Sequence, residues 1–197
     1  MKDINNSKKI IFVEGDDDFH FLCNLLEIQG ITDVFVEKIN GKSKLKQALR
    51  AFKNIDSFDE KESIFIILDA DTSFSDTERS IIATLRELQI SSPSSHNEIA
   101  MNGNTKISFF IMPGKDKQGA IEDLIIEHFE KIKNNKDDIS ASDKEYTYPT
   151  NEKKAKVQVY LSCNRESDSR IGISMKNGII NTADNCFDEI KDFISKI

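Results

Sequence analysis

Residues 64–71 read Ile-Phe-Ile-Ile-Leu-Asp-Ala-Asp. Ile64 to Leu68 is an unbroken apolar run rich in β-branched side chains, the composition of a strand covered on both faces within a parallel sheet. It stops abruptly at Asp69-Ala70-Asp71. The same grammar stands upstream, where Ile10-Ile11-Phe12-Val13 is followed by Glu14-Gly15. From Asp16 to Gln29 the apolar Phe19, Leu22, Cys23 and Leu26 recur at helical spacing, with Gly30 at the stop position. Val34 to Val36 is the next strand, and Leu45, Ala48, Leu49 and Phe52 mark a second helix. Downstream, Ile81, Leu85 and Leu88 continue a third helix, and Ser91 to Asn104 reads as a turn-rich connection. Ile107 to Met112 is a fourth strand, followed by a fourth helix bearing Ile121, Leu124, Ile125 and Phe129. Four rounds of strand and helix predict an α/β fold, with a mainly parallel four-stranded sheet and helices on both faces.

A chain of 197 residues suggests one domain over 1–197. Its core is expected over 8–133, a polar loop over 134–153 and a C-terminal elaboration over 154–197. Lys154 to Asn164 is ambiguous: Val157, Val159 and Leu161 alternate as in a strand, while Ala155, Val159 and Cys163 fit a helix, which is preferred. Phe187, Ile190, Ile194 and Ile197 predict a C-terminal amphipathic helix.

Composition narrows the function classes. With 38% hydrophobic residues and 13 Phe the chain can bury a sizeable core, and no apolar run approaches the ~18 residues of a membrane helix. Cys23, Cys163 and Cys186 are odd in number and far apart, which fits reduced, mostly buried thiols better than disulfides or a zinc pattern. The polar N-terminus lacks a signal-peptide pattern, so a cytoplasmic location and no membrane are expected. A net charge of −7 argues against a protein that coats DNA by charge alone, yet leaves room for a nucleic-acid enzyme whose carboxylates hold metal ions.

Ligands of open α/β sheets gather beyond the carboxyl ends of the strands. Glu14 to Asp18 follow the first strand and Asp69 and Asp71 the third. Lys115 to Gly119 and then Glu122-Asp123 follow the fourth, so acids stand at all three exits. If the strand stays extended, Asp69 and Asp71 leave on one face. Two carboxylates about 4 Å apart repel by about 1 kcal/mol in water and about 4 kcal/mol at an effective dielectric of 20, so a shared cation or proton is needed. Hard oxygen ligands point to Mg²⁺ or Mn²⁺ rather than zinc. The bland alternative is that these acids only cap helices, which is the better reading for Asp16 and Asp17. Phe21 spoils an EF-hand over Asp16 to Glu27, and Ala120-Ile121 spoils a P-loop over Gly114 to Gly119. His20, His96 and His128 are scattered, and the first and last are expected to be surface or packing residues.

Ile10 to Val13 with Glu14-Gly15 and Asp18, followed by Ile66-Ile67-Leu68-Asp69-Ala70-Asp71, resembles the Toprim domain of topoisomerases, primases and OLD-type nucleases. It is most similar to small stand-alone prokaryotic Toprim-like proteins. Met112-Pro113, Gly119, Glu122-Asp123 and Ile171-Gly172-Ile173 also match. The resemblance implies a compact Rossmann-like fold, Glu14 as acid/base, and Asp69 and Asp71 as the metal pair. Asp18 and Glu122 would add ligands as in the OLD-like branch. Ser73 stands where many Toprim domains carry a third Asp, which weakens one metal site. Without a tyrosine-bearing cleavage domain or a zinc module, topoisomerase and primase activities are not expected. A metal-dependent nuclease beside an ATPase partner is. Lys42, Lys44 and Lys46, with Lys115 and Lys117, would grip the nucleic-acid backbone, Lys115 also contacting the reacting phosphate. Competing readings are a haloacid-dehalogenase-like phosphatase, from Leu68-Asp69-Ala70-Asp71-Thr72, and a non-catalytic regulatory or scaffold subunit.

Overall fold

The computed structural model describes residues 4–134, 152–162 and 170–197. β1 (Lys9–Val13), β2 (Val34–Lys38), β3 (Ser63–Asp69), β4 (Ile99–Asn102) and β5 (Thr105–Met112) form one sheet in the order β2-β1-β3-β5-β4. β2, β1, β3 and β5 run parallel and β4 pairs antiparallel with β5. Strands β1 and β3 are neighbours because the chain first lays β2 on one side of β1 and then crosses to the other. The crevice of a doubly wound sheet opens at that reversal, which sets Glu14 and Asp69 on adjacent strand exits.

Strand side chains alternate between two cores, as the two-residue period requires. Ile10, Phe12, Ile64, Ile66, Leu68, Phe109 and Ile111 pack with α2 (Leu45–Lys53) and α3 (Phe74–Glu87). Ile11, Val13, Phe65, Ile67, Phe110 and Met112 face α1 (Asp16–Ile28), α4 (Ile121–Asn134), α6 (Ile171–Lys176) and α7 (Asp188–Ser195). Phe65, Phe110 and Phe193 are fully buried with ring centroids 4.9 and 5.3 Å apart. Truncating such a ring costs about 3–5 kcal/mol.

The expected four-stranded sheet has five strands. The connection over Ser91 to Asn104 contains β4, which turns into β5 at Gly103 (φ 62°). β4 is a short edge strand, Ile-Ala-Met-Asn, whose residues alternate between exposed and half-buried and include none that is fully buried, so its sequence is too short and too weakly patterned to announce a strand. Residues 154–162 are helical as preferred, within α5 (Glu152–Ser162), but the stripe differs. α5 buries Val157 and Leu161 and leaves Val159 62% exposed. α6 lies close on α1, where a Cβ on Gly172 would come within 2.9 Å of Asn24. The expected loop over 134–153 falls mainly outside the described residues. Cys23 and Cys186 are half-buried rather than buried. Among the described residues no helix is long and apolar enough to cross a membrane.

Candidate functional site

Glu14 leaves the carboxyl end of β1 and its main chain is held there by the Gly41 amide, 3.1 Å from Glu14 O. Its Oε1 accepts the Lys42 amide at 3.3 Å, whereas Oε2 is buried without a partner. Asp69 ends β3 with Oδ1 likewise buried and unpartnered. Asp18, in the first turn of α1, is buried, and its Oδ2 accepts the Gly15 amide at 2.9 Å, so it caps the helix that carries it. Glu122 lies buried in the first turn of α4.

These acids act on one another. Burial pushes the Asp69 carboxyl up to about 9, with Asp18, Glu14, Glu122 and Asp71 adding repulsion. Burial also lifts Asp18 to about 6 against the pull of the Gly15 amide, and raises Glu122. A carboxylate forced this far towards its neutral form lacks a counter-charge.

Asp71 departs from the same-face expectation. It adopts a left-handed backbone (φ 51°), so the extended strand ends before it. Its amide and carbonyl pair with Gly119 at 2.9 and 2.8 Å, joining the loop after β3 to the loop after β5. Gly119 itself (φ 120°) leaves no room for a Cβ, which would sit 2.0 Å from Asp123 Oδ2. The Asp71 side chain turns outward and meets Lys42 Nζ at 2.6 Å.

The five lysines read from the sequence are not gathered equally. Lys42 is bound into the acidic group. Lys44 is exposed on the short turn Lys42–Lys44. Lys46 turns to α3 and pairs with Glu87 at 2.5 Å. Lys115 and Lys117 are exposed in the loop after β5, with Lys117 3.9 Å from Glu127.

The family described as a protein of unknown function, DUF3226, matches residues 8–197. The chain belongs to the DUF3226 family. No curated protein matches this DUF3226 chain. Among solved structures, the C-terminal region of the Xanthomonas campestris pv. campestris OLD protein, phased with platinum, is similar at 12% identity and a TM-score of 0.43. The match covers 96% of this chain and 77% of that one. The same region phased with mercury matches at 10% identity and a TM-score of 0.43, covering 98% and 87%.

Several residues of the DUF3226 site carry no local sequence signal. Lys154 on α5 contacts Asp17, and Lys153 meets Asp123 at 2.6 Å, so two cations of α5 border the acids opening α1 and α4. Thr77 Oγ1 accepts from Lys42 Nζ at 3.1 Å. His96 is buried and its Nδ1 accepts the Ile111 amide at 3.0 Å, which leaves Nε2–H to donate to Glu189 Oε1 at 2.9 Å. That same oxygen accepts the Lys115 amide at 2.9 Å. The loop bearing Lys115 is thereby pinned to α7. Burial lowers the His96 pKa against the pull of Glu189, favouring the neutral ring that this arrangement uses.

Proposed function

We propose that this chain is a divalent-cation-dependent phosphodiesterase acting on nucleic acid, a cytoplasmic nuclease that works beside an ATPase partner. The observation that carries the reading is the pair of buried, unpartnered carboxylate oxygens, Glu14 Oε2 and Asp69 Oδ1, on adjacent strand exits. Leaving such an oxygen unmet costs about 1–3 kcal/mol, and more for a charged group, so a fold that keeps two of them at the ends of neighbouring strands favours a cation there.

The donors fit a hard ion. Glu14 and Asp69 would hold Mg²⁺ or Mn²⁺, with Asp71 completing the set when released from Lys42, and Asp18 and Glu122 supplying oxygens for a second. Such an ion polarises a phosphoryl oxygen and lowers the pKa of its water. Glu14, anchored by two backbone amides of the Gly41-Lys42 turn, is placed to take or return a proton. Lys115, on a loop pinned by Glu189, would contact a phosphate oxygen, with Lys42, Lys44 and Lys117 along the backbone path. Lys46, engaged by Glu87, would contribute least. An aspartyl nucleophile at Asp69 is the poorer reading, since a carboxyl held neutral by burial is a weak nucleophile.

Cleavage of labelled DNA and RNA with Mg²⁺ or Mn²⁺ tests this. Glu14→Gln and Asp69→Asn are expected to lower the rate by about 10²-fold or more. Undiminished cleavage in both variants, or equal cleavage in a chelator, overturns the reading.

A further inference from the structure

Lys42 touches two of the acids that would hold the cation, Glu14 and Asp71. Its backbone N–H donates to Glu14 Oε1 at 3.3 Å, and its Nζ lies 2.6 Å from Asp71 Oδ2 and 3.1 Å from Thr77 Oγ1. The main chain at this point is fixed, because Gly41 (φ 112°) turns the chain so that consecutive amides face Glu14. The side chain is not. It is 25% exposed, and the Asp71 side chain that holds it is 60% exposed, so the pair sits at the solvent mouth of the crevice.

An ammonium and a divalent cation compete for the same carboxylate oxygen and repel each other at contact range. We propose that Lys42 is the resident counter-ion of Asp71, that a divalent cation entering the crevice displaces its ammonium, and that the released ammonium takes a phosphate oxygen of the substrate. This rests on the metal-dependent reading above and adds an order to it: cation first, then substrate. The chemistry suits lysine, whose compact charge on a flexible four-carbon stem can change partners without moving the backbone. Asp71 gains a stronger partner at the moment when a free cation is wanted at the mouth of the site. Thr77, buried beneath the ammonium, marks the parked position.

Calorimetric titration of Mn²⁺ into the full chain tests the exchange. Lys42→Met is expected to bind Mn²⁺ about two- to fivefold more tightly than wild type, the scale of one partly exposed ion pair, while Lys42→Arg binds it no more tightly. In the wild type, acetylation of Lys42 by an N-hydroxysuccinimide ester, read by peptide mass spectrometry, should rise by about two- to fivefold at saturating Mn²⁺, as expected of an amine leaving an ion pair of this strength. Equal Mn²⁺ affinity in wild type and Lys42→Met, or labelling of Lys42 unchanged by bound Mn²⁺, overturns the exchange and leaves the metal reading standing. Absence of Mn²⁺ binding in every variant overturns the metal reading, and the exchange with it.

Discussion

Asp69 and Asp184 are both half-buried aspartates, and their surroundings push them in opposite directions. Asp184 Oδ1 accepts from the Cys186 amide at 3.1 Å and from Lys131 Nζ at 3.2 Å, and Oδ2 accepts from His128 Nδ1 at 3.2 Å. Burial alone would raise it, but these bonds outweigh burial and hold its carboxyl well below the usual range. Asp69 has an oxygen with no donor at all and is driven upward. The contrast separates ligand type from ligand demand. Among the described residues, His128, Asp184 and Cys186 are the one trio of His, Cys, Asp or Glu ligand atoms lying within 4.8 Å of one another. Yet His128 Nε2 already accepts the Asn181 amide at 3.2 Å, so Nδ1 carries the proton that Asp184 receives. Burial and the nearby Asp184 also push the Cys186 thiol up to about 12, which keeps it protonated. The trio has the right elements and its needs are met. The crevice acids are more loosely gathered and their needs are not.

The comparison can be broken in several ways. The largest effect belongs to Asp69→Asn in chelator at pH 8, which should raise Tm by more than about 10 °C, since sparing the fold a buried carboxyl that must hold its proton against solvent at that pH is worth several kcal/mol at about 2–4 °C per kcal/mol. A fall in Tm would show that Asp69 is stabilised by something else. Next comes added cation: Mg²⁺ or Mn²⁺ at a hundredfold excess over Kd should stabilise wild type by about 2.7 kcal/mol, or about 5–11 °C, and Asp69→Asn hardly at all. Asp184→Asn should cost about 2 kcal/mol at pH 7, read as a Tm lower by about 4–8 °C.

The pH profiles sharpen the same contrast. Between its ordinary 3.8 and about 9 the folded chain holds a proton on Asp69 that the unfolded chain has released. Metal-free stability therefore falls as pH rises through that window, and the slope should disappear in Asp69→Asn. Asp184 works in reverse: its contribution is present above the ordinary carboxylate range and is lost as pH falls below it. The smallest effect is Lys46→Met, which breaks an exposed pair with Glu87 and should stay within about 1 kcal/mol in urea unfolding.

The parallel strands and their acidic exits were legible because continuous burial writes itself as continuous apolar sequence, as in Ile64 to Leu68. β4 was not, because its apolar stretch is only three residues long, Ile99 to Met101, and its large side chains stand exposed at the sheet edge, Ile99 by 43% and Met101 by 53%. At the site, Glu14 and Asp69 could be placed from strand ends alone. The direction of Asp71 could not, since its left-handed turn depends on pairing with Gly119 far along the chain. Lys154 was equally hidden: its partner Asp17 is 137 positions away, and only the docking of α5 beside α4 brings them together. His96 reads as one of three scattered histidines until the fold sets it between the Ile111 amide and Glu189, 93 positions downstream.

The paired amide and carbonyl of Asp71 and Gly119 also decide how the second acid should be probed. Asparagine tolerates a positive φ better than almost any other side chain. Exchanging the Asp71 carboxylate for a carboxamide thus deletes one charge while the chain path stays as it is. Alanine at that place would oppose the backbone geometry and tug on Gly119, and through it on the opening of the helix that carries Glu122. A defect in such a variant would mix electrostatics with distortion, whereas a defect in the carboxamide variant reports the lost charge by itself.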